Sequence, residues 1–159
     1  MTEPKSPFGK NGIKYVHTNI IADDWRKLAD FYIQVFDCRP KPPERNIKGD
    51  WIDKVTKIDG VHIEGIHLEL PGYEDGPTLE IFSYDPENLN PDKSQINRQG
   101  FGHMAFLVDD IDTAVEKLLN NGGSLVGEIQ NVDFEKLGHL QIVYCKDPEG
   151  NFLEIQKWS

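Results

Sequence analysis

The sequence predicts an α+β protein built from two tandem βαβββ modules, whose strands curve into one cupped mixed sheet with the helices on the outside. Two observations predict this class. A pattern of an extended run followed by an amphipathic helix occurs twice, and each copy closes on the same Leu-Glu-Ile tripeptide. Chains of 159 residues are long enough for two small modules that share one core.

The repeat opens near Ile13 and again near Gly100. Each copy begins with β-branched and aromatic residues and continues into an apolar stripe at helical spacing. Asp24 and Asp110 precede the two stripes and are predicted helix N-caps. We therefore predict residues 13–159 to be a single domain, with module 1 over about 13–86, module 2 over about 100–158, and residues 1–12 as a flexible tail.

The spacing of the matched residues places an expansion in module 1. His17 and His103 are 86 residues apart, whereas Glu80 and Glu154 of the two tripeptides are 74 apart, so module 1 is longer by 12 residues. The prolines after its helix break regular structure and obscure the strand expected there. The insertion is predicted around Arg45–Gly60.

The remaining strands are predicted from extended runs between turn sequences. In module 1 these runs are residues 61–70 and 78–84, separated by a Pro-Gly turn. In module 2 they are residues 124–128, 139–145 and 151–158, the last two joined by Asp-Pro-Glu-Gly.

Charge and hydropathy exclude several classes of partner. The chain has 17 Lys and Arg against 27 Asp and Glu, a net charge of −10, which argues against nucleic acid or an anionic membrane surface. Its apolar runs are far shorter than the roughly 20 residues that span a bilayer. The first residues lack the apolar core of a secretory signal, and two cysteines are too few for a disulfide scaffold. We expect a cytoplasmic protein with a small-molecule substrate.

Strand periodicity places four side chains on equivalent faces. Successive residues of a strand point to opposite sides, so His17, Glu80, His103 and Glu154 lie opposite their apolar neighbours, which pack under the helices. If the modules form one cup, these four side chains converge. Two imidazoles and two carboxylates then form a site for one divalent transition metal: Ni, Zn, Co, Mn or Fe. Ordinary strand histidines and solvated glutamates are the alternative.

A metal at this position would stabilise an oxyanion beside a carbonyl, while a carboxylate moves a proton as a general base. Phe82, Tyr84, Phe101 and His139 are candidates for the wall of a substrate pocket, although the aromatic rings can equally belong to the core. His62 and His67 are five residues apart and lie on opposite strand faces, which argues against a shared metal and favours surface or loop roles.

The sequence resembles the vicinal oxygen chelate superfamily, which includes glyoxalase I, methylmalonyl-CoA epimerase, extradiol dioxygenases and the fosfomycin and bleomycin resistance proteins. The resemblance covers residues 13–158. Its carriers are His17-Thr18, Phe31-Tyr32, Gly102-His103-Met104-Ala105-Phe106, Asn121-Gly122-Gly123, and Asp147-Pro148-Glu149-Gly150-Asn151 leading to Glu154.

This resemblance implies paired βαβββ modules around one metal held by His17, Glu80, His103 and Glu154. The ligand set is similar to that of bacterial glyoxalase I, and it implies a lyase or isomerase with Glu154 as the first candidate for the base and Glu80 as the second. An extradiol-type dioxygenase and a non-catalytic drug-binding protein are the alternatives. Glyoxalase I enzymes typically have an arginine where this chain has Ile21, so the resemblance does not extend to the glutathione contact. Family members often form homodimers, sometimes with the cup completed across chains.

Overall fold

The structure is a computed structural model that describes residues 15–88, 95–97 and 99–159. The predicted tail, residues 1–12, lies outside the described residues. Strands and helices follow one another as β1 (His17–Ile21), α1 (Trp25–Phe36), β2 (Arg39–Lys48), α2 (Asp50–Thr56), β3 (His62–Glu69), β4 (Thr78–Asp85), β5 (Met104–Leu107), α3 (Ile111–Asn120), β6 (Ser124–Leu125), β7 (Gln130–Phe134), β8 (Gly138–Lys146) and β9 (Phe152–Trp158). No helix in the described ranges is long and apolar enough to cross a membrane.

Each module forms its own mixed sheet, which confirms the α+β class with tandem modules. The first sheet has the strand order β1-β4-β3-β2, and the second has the order β5-β9-β8-β6, with β7 also paired to β8. In both sheets the opening strand runs parallel to the closing strand, β1 beside β4 and β5 beside β9. The duplication seen in the sequence is therefore also a duplication of strand pairing.

The two long helices begin at the predicted caps. The Asp24 carboxylate accepts a hydrogen bond from the Lys27 backbone N–H, and Asp110 accepts from Asp112 and Thr113. The Lys27 N–H lowers the pKa of Asp24, and the Thr113 hydroxyl, together with the backbone N–H groups, lowers that of Asp110. Each helix buries its apolar stripe against the sheet face opposite the candidate ligands, where Leu79, Ile81, Leu153 and Ile155 are fully buried.

A single hydrophobic core joins the two modules. Phe36 at the end of α1 stacks on Phe106 of β5, with 3.9 Å between the ring centroids. Tyr32, which is completely buried, contacts both rings from the preceding turn of the helix. The modules are thus packed against each other through α1 and not only connected in sequence.

Hydrogen bonds from the turn before β9 reinforce this contact. The buried Asp147 carboxylate accepts a hydrogen bond of 2.8 Å from the Tyr32 hydroxyl and another of 2.8 Å from the Asn151 amide. The Glu149 carboxylate accepts from the backbone N–H groups of Asp23 and Asp24, at 2.9 and 3.0 Å. We call Asp147 and Glu149, with these partners, the inter-module latch. It connects the turn before β9 to the start of α1.

The strand expected after α1 is present although prolines obscure it, and the insertion that follows contains a helix that the sequence did not predict. The prolines do not end the sheet: β2 runs through them as an edge strand and pairs with β3, with its register interrupted between Lys41 and Arg45. The short helix α2 follows and packs Ile52 onto Val61, Ile63 and Phe82. In module 2 the strand β7 was also not predicted, because all five of its residues are exposed and no apolar alternation marks them.

Candidate metal centre

The first half of the candidate site lies on β1 and β4, which are parallel neighbours. His17 Nε2 is 3.3 Å from Glu80 Oε2. Asn19, on the same face of β1 and directly opposite Glu80 in the register, donates a 3.0 Å hydrogen bond to the other oxygen, Oε1. The Glu80 side chain is largely buried, whereas that of His17 is 40% exposed. Oε1 of Glu80 is therefore fixed by a hydrogen bond, whereas Oε2 faces the imidazole.

His67 of β3 joins this pair, which strand spacing alone had not suggested. It pairs with Glu80 across the β3–β4 hairpin, and its Nε2 is 3.1 Å from Glu80 Oε2. The side chain is 17% exposed, and its ring lies edge-on to the His17 ring at a centroid distance of 5.6 Å. One carboxylate oxygen thus faces two imidazole nitrogens.

The other ring nitrogen of His67, Nδ1, contacts a buried hydroxyl group. Nδ1 is 2.8 Å from the Thr78 hydroxyl, which is buried at the start of β4. Burial lowers the pKa of His67, and the Glu80 carboxylate opposes that shift. The hydroxyl fixes the ring orientation so that Nε2 points to Glu80, as is usual for a histidine that binds a metal.

The second half-site, on β5 and β9, has fewer polar supports. His103 Nε2 is 3.2 Å from Glu154 Oε2. The strand neighbour of Glu154 on β8 is Tyr144, whose ring lies edge-on to His103 at a centroid distance of 5.1 Å. Burial raises the pKa of Tyr144, and the negative charge of Glu154 and the hydrogen bond that the phenol donates to this carboxylate add to the rise.

The registers show which residues of the two modules correspond. Asn19 pairs with Glu80 in module 1, and Ala105 pairs with Glu154 in module 2. Likewise His67 stands opposite Glu80 where Tyr144 stands opposite Glu154. Module 2 therefore keeps the His–Glu pair but has no amide in the place of Asn19 and no imidazole in the place of His67.

The four predicted ligands form two pairs within the chain. Among the described residues, one group of three potential ligand atoms lies within 4.8 Å of one another, and it consists of His17, His67 and Glu80. His103 and Glu154 are not part of it. His17 begins β1, and His103 directly precedes β5. In the described part of the chain each of these strands lies at the edge of its sheet.

The residues proposed for the pocket wall occupy three different environments. Phe82 is buried against α2 beside the partly buried Tyr84, and its ring covers Gly65, where an added Cβ would lie 2.3 Å from it. Phe101, which precedes β5, is 75% exposed. His139 is five residues from Tyr144 on β8 and so lies on the opposite strand face, where its Nδ1 is 2.7 Å from Asp133 Oδ1.

His67 could have been found from the sequence by pairing the hairpin strands. The runs 61–70 and 78–84 were predicted, but their register was not assigned. Placing His67 opposite Glu80 requires the loop length, and the Pro-Gly turn is followed by several more loop residues before β4 begins. The five-residue spacing between His62 and His67 gives their faces on β3 but not their partners on β4.

The donor set of module 1 fits a divalent transition metal. Neighbouring ligand atoms around such an ion are about 3 Å apart, because metal–nitrogen and metal–oxygen bonds are about 2.1 Å long. The separations of 3.3 and 3.1 Å from Glu80 Oε2 to the two imidazole nitrogens match this spacing. Imidazole and carboxylate together suit Zn, Ni, Co, Mn or Fe.

With this fold and donor set, the chain belongs to the Glyoxalase/Bleomycin resistance protein/Dioxygenase superfamily, whose family model matches residues 14–155. It is similar to the lactoylglutathione lyase of Escherichia coli O157:H7, with 26% identity over 90% of this chain and 91% of the relative. Among solved structures it resembles a glyoxalase family protein from Bacillus cereus, with a TM-score of 0.73, 21% identity and coverage of 92% and 93% of the two chains. A glyoxalase/dioxygenase from Nostoc punctiforme has a TM-score of 0.63 at 19% identity, covering 100% and 99%.

Proposed function

We propose that the protein is a metal-dependent lyase or isomerase of the glyoxalase type, which moves a proton next to a carbonyl of a small substrate with vicinal oxygens. The observation that carries this proposal is the pair of His–Glu contacts at corresponding positions of the two modules, 3.3 Å for His17 with Glu80 and 3.2 Å for His103 with Glu154. Superfamily membership and the similarity to lactoylglutathione lyase support the same chemistry.

Each of the four residues has a proposed role. His17, Glu80, His103 and Glu154 hold the ion, which as a Lewis acid supplies stabilisation of the oxyanion that develops when a proton leaves the neighbouring carbon. Glu154 is the general base. Its support is the difference between the half-sites: Glu80 contacts two imidazoles and accepts a hydrogen bond from Asn19, whereas Glu154 contacts one imidazole and the Tyr144 phenol. A carboxylate that can move is better suited to carry a proton between two atoms of a substrate.

The substrate is proposed only as a class. The Escherichia coli relative is a lactoylglutathione lyase, which suggests a thiol conjugate of a small oxygenated compound. Against glutathione itself stands Ile21, which is 48% exposed where glyoxalase I enzymes typically have an arginine. A hydrophobic side chain there offers no ion pair to a carboxylate. We therefore propose a smaller or less acidic substrate within the same class of vicinal-oxygen compounds.

The complete site is proposed to form between two copies of the chain. Two findings support this assembly. His17 and Glu80 form no common group with His103 and Glu154 in the described chain, and β1 and β5 are edge strands. If β1 of one copy lay beside β5 of another, module 1 of the first would meet module 2 of the second. A two-fold symmetric dimer would then contain two equivalent sites.

Metal analysis followed by an isotope-exchange assay tests the proposal. We expect bound divalent metal in the purified protein, and exchange of the proton beside the carbonyl in D2O across a panel of 2-hydroxy ketones and thiol adducts of oxoaldehydes, followed by NMR. Chelation should abolish this exchange and a divalent ion should restore it. A protein that neither carries metal nor binds it after chelation would contradict the proposal. Binding of a panel compound without exchange, unaffected by chelation, would indicate a drug-binding protein instead.

A second candidate, an extradiol-type dioxygenase, is favoured by one observation. His17, His67 and Glu80 are two histidines and a carboxylate in one group, which is the donor set of many non-haem Fe(II) oxygenases. Protein reconstituted with Fe(II) without air should then consume oxygen when a catechol is added. The absence of oxygen uptake across a panel of catechols would remove this candidate.

A further inference from the structure

We propose that His67 is itself a ligand of the metal, so that module 1 supplies three donors and contributes more to binding the ion than module 2 does. This inference rests on the proposed function, in which the superfamily pattern supplies one histidine and one glutamate from each module. His67 has no counterpart in that pattern, and its corresponding position in module 2 is Tyr144.

The geometry of His67 is that of a prepared ligand. Its Nε2 lies 3.1 Å from Glu80 Oε2, and the Nε2 atom of His17 lies 3.3 Å from the same oxygen. The corresponding atoms of the three side chains are all within 4.8 Å of one another. They come from three neighbouring strands, β1, β4 and β3, whose hydrogen-bonded registers fix the positions of the backbones.

Two of the three donors, His67 and Glu80, are each held by a second contact. Thr78 holds Nδ1 of His67 at 2.8 Å, which leaves Nε2 free to face the site. Asn19 holds Oε1 of Glu80 at 3.0 Å, which leaves Oε2 free in the same way. Such outer contacts orient the ligands of metal sites, and their removal typically weakens metal binding about 10–100-fold. Module 2 has neither of them, because Ala105 and Phe152 stand in the corresponding places.

In this arrangement the corresponding glutamates, Glu80 and Glu154, have different roles. Glu80, which accepts from Asn19 at Oε1 and faces His17 and His67 at Oε2, would remain a ligand of a bound ion. Glu154 is needed less for holding the ion because His67 already provides a third donor from module 1. Glu154, which contacts His103 and the Tyr144 phenol, would then be the carboxylate available to accept the substrate's proton.

Cobalt binding to the full chain tests the assignment, with His62→Gln as the matched control on the same strand. His62 lies on the other face of β3, where it contacts Asn46 at 2.9 Å. We expect His67→Gln to weaken Co²⁺ binding at least about 100-fold by calorimetry and to change the visible absorption of any Co²⁺ that still binds. His62→Gln should leave both unchanged, and Thr78→Val should weaken binding about 10-fold. The double variant His103→Gln/Glu154→Gln should lose less affinity than His67→Gln does.

The outcomes separate this inference from the proposed function. If His67→Gln binds Co²⁺ with wild-type affinity and an unchanged spectrum, His67 is not a ligand, whereas the proposed function stands. If the double variant loses affinity more severely than His67→Gln, the larger contribution assigned to module 1 is wrong. If the wild-type chain itself binds no Co²⁺, both proposals fail. Melting curves of the metal-free variants, which should coincide, show that the changes affect binding and not folding.

Discussion

Tyr32, in the middle of α1, donates a 2.8 Å hydrogen bond to Asp147, in the turn that precedes β9 of the other module. Both residues are buried, and the pKa of Tyr32 is raised well above its usual value by burial and by the charge of Asp147. The phenol therefore stays protonated and keeps donating. A hydrogen bond to a buried charge is among the stronger ones in proteins.

The first prediction concerns this bond. Tyr32→Phe removes the hydroxyl and keeps the ring, so Asp147 loses one donor while its core contacts persist. We expect a loss of about 1.5–3 kcal/mol in the free energy of unfolding, or about 3–12 °C in Tm. Tyr73→Phe is the control, because that side chain is 63% exposed and should change stability by less than about 0.5 kcal/mol. Equal melting temperatures for the two variants would show that the latch contributes nothing to stability.

Glu154→Gln tests the assignment of the base. The amide has nearly the same shape as the carboxylate but cannot accept a proton at neutral pH, so turnover should fall by about 10²–10⁴-fold. The metal-free fold should be unaffected, as measured by circular dichroism. Glu128→Gln, at an exposed position after β6, serves as the control and should retain full activity. A Glu154→Gln protein with undiminished turnover would assign the base elsewhere.

Removal of the metal should be visible as a loss of stability. An ion that binds only the native state stabilises it by about 2.7 kcal/mol at 100 times its dissociation constant. Chelation is thus expected to lower Tm by about 5–11 °C, and excess Zn²⁺ or Ni²⁺ should restore it. In His17→Ala this response should be much weaker. A wild-type Tm that is insensitive to both chelator and ion would count against a resident metal.

Mixed dimers distinguish a site within one chain from a site between two. His17→Ala disables module 1 and His103→Ala disables module 2, so each variant alone should be inactive. If sites form between chains, a dimer of one variant with the other contains one intact site. Co-expression should then recover about a quarter of wild-type activity, since half of the dimers are mixed and each has one working site of two. Activity that stays at the level of the separate variants would place the complete site within a single chain.

The buried cysteines predict how the free energy of unfolding depends on pH. Burial raises the pKa of Cys38 and of Cys145 to about 12, from an ordinary value of 9.0. Between these values the unfolded chain releases thiol protons that the native chain retains, so the free energy of unfolding should fall as the pH rises through this range. At pH 8 the native protein should resist a thiol reagent, and both thiols should react once denaturant is added. Rapid labelling of the native protein would contradict this.

Much of the fold could be predicted from the sequence because duplication repeats its signals. The amphipathic stripes, the caps Asp24 and Asp110, and the strands that carry Glu80 and Glu154 all have local patterns, and the structure confirms them. The segments that were missed, or expected without bounds, lack such patterns. Prolines hide β2, and β7 is exposed on every residue. β2 forms by pairing with the edge of β3. The pattern of its own residues does not reveal this pairing.

The candidate site could be predicted only where the pattern of a single strand determines it. Parity on single strands selected His17, Glu80, His103 and Glu154, and the structure places them in two His–Glu pairs. Their role as one set of metal ligands stays a prediction. His67 was missed because its contact with Glu80 depends on the register between two strands, and register depends on a loop whose length does not reveal its path.

The inter-module latch has a mechanical consequence. Glu149 binds the backbone just after β1, the strand that begins with His17, and the same turn continues directly into β9, which carries Glu154. The two half-sites of one chain are thus joined by short stretches of ordered backbone through a hydrogen-bonded junction. Their separation is set when the chain folds, so little conformational entropy remains to be lost when a ligand or a second copy arrives. In the proposed dimer, each copy would then contribute its two half-sites at a spacing that folding has already fixed.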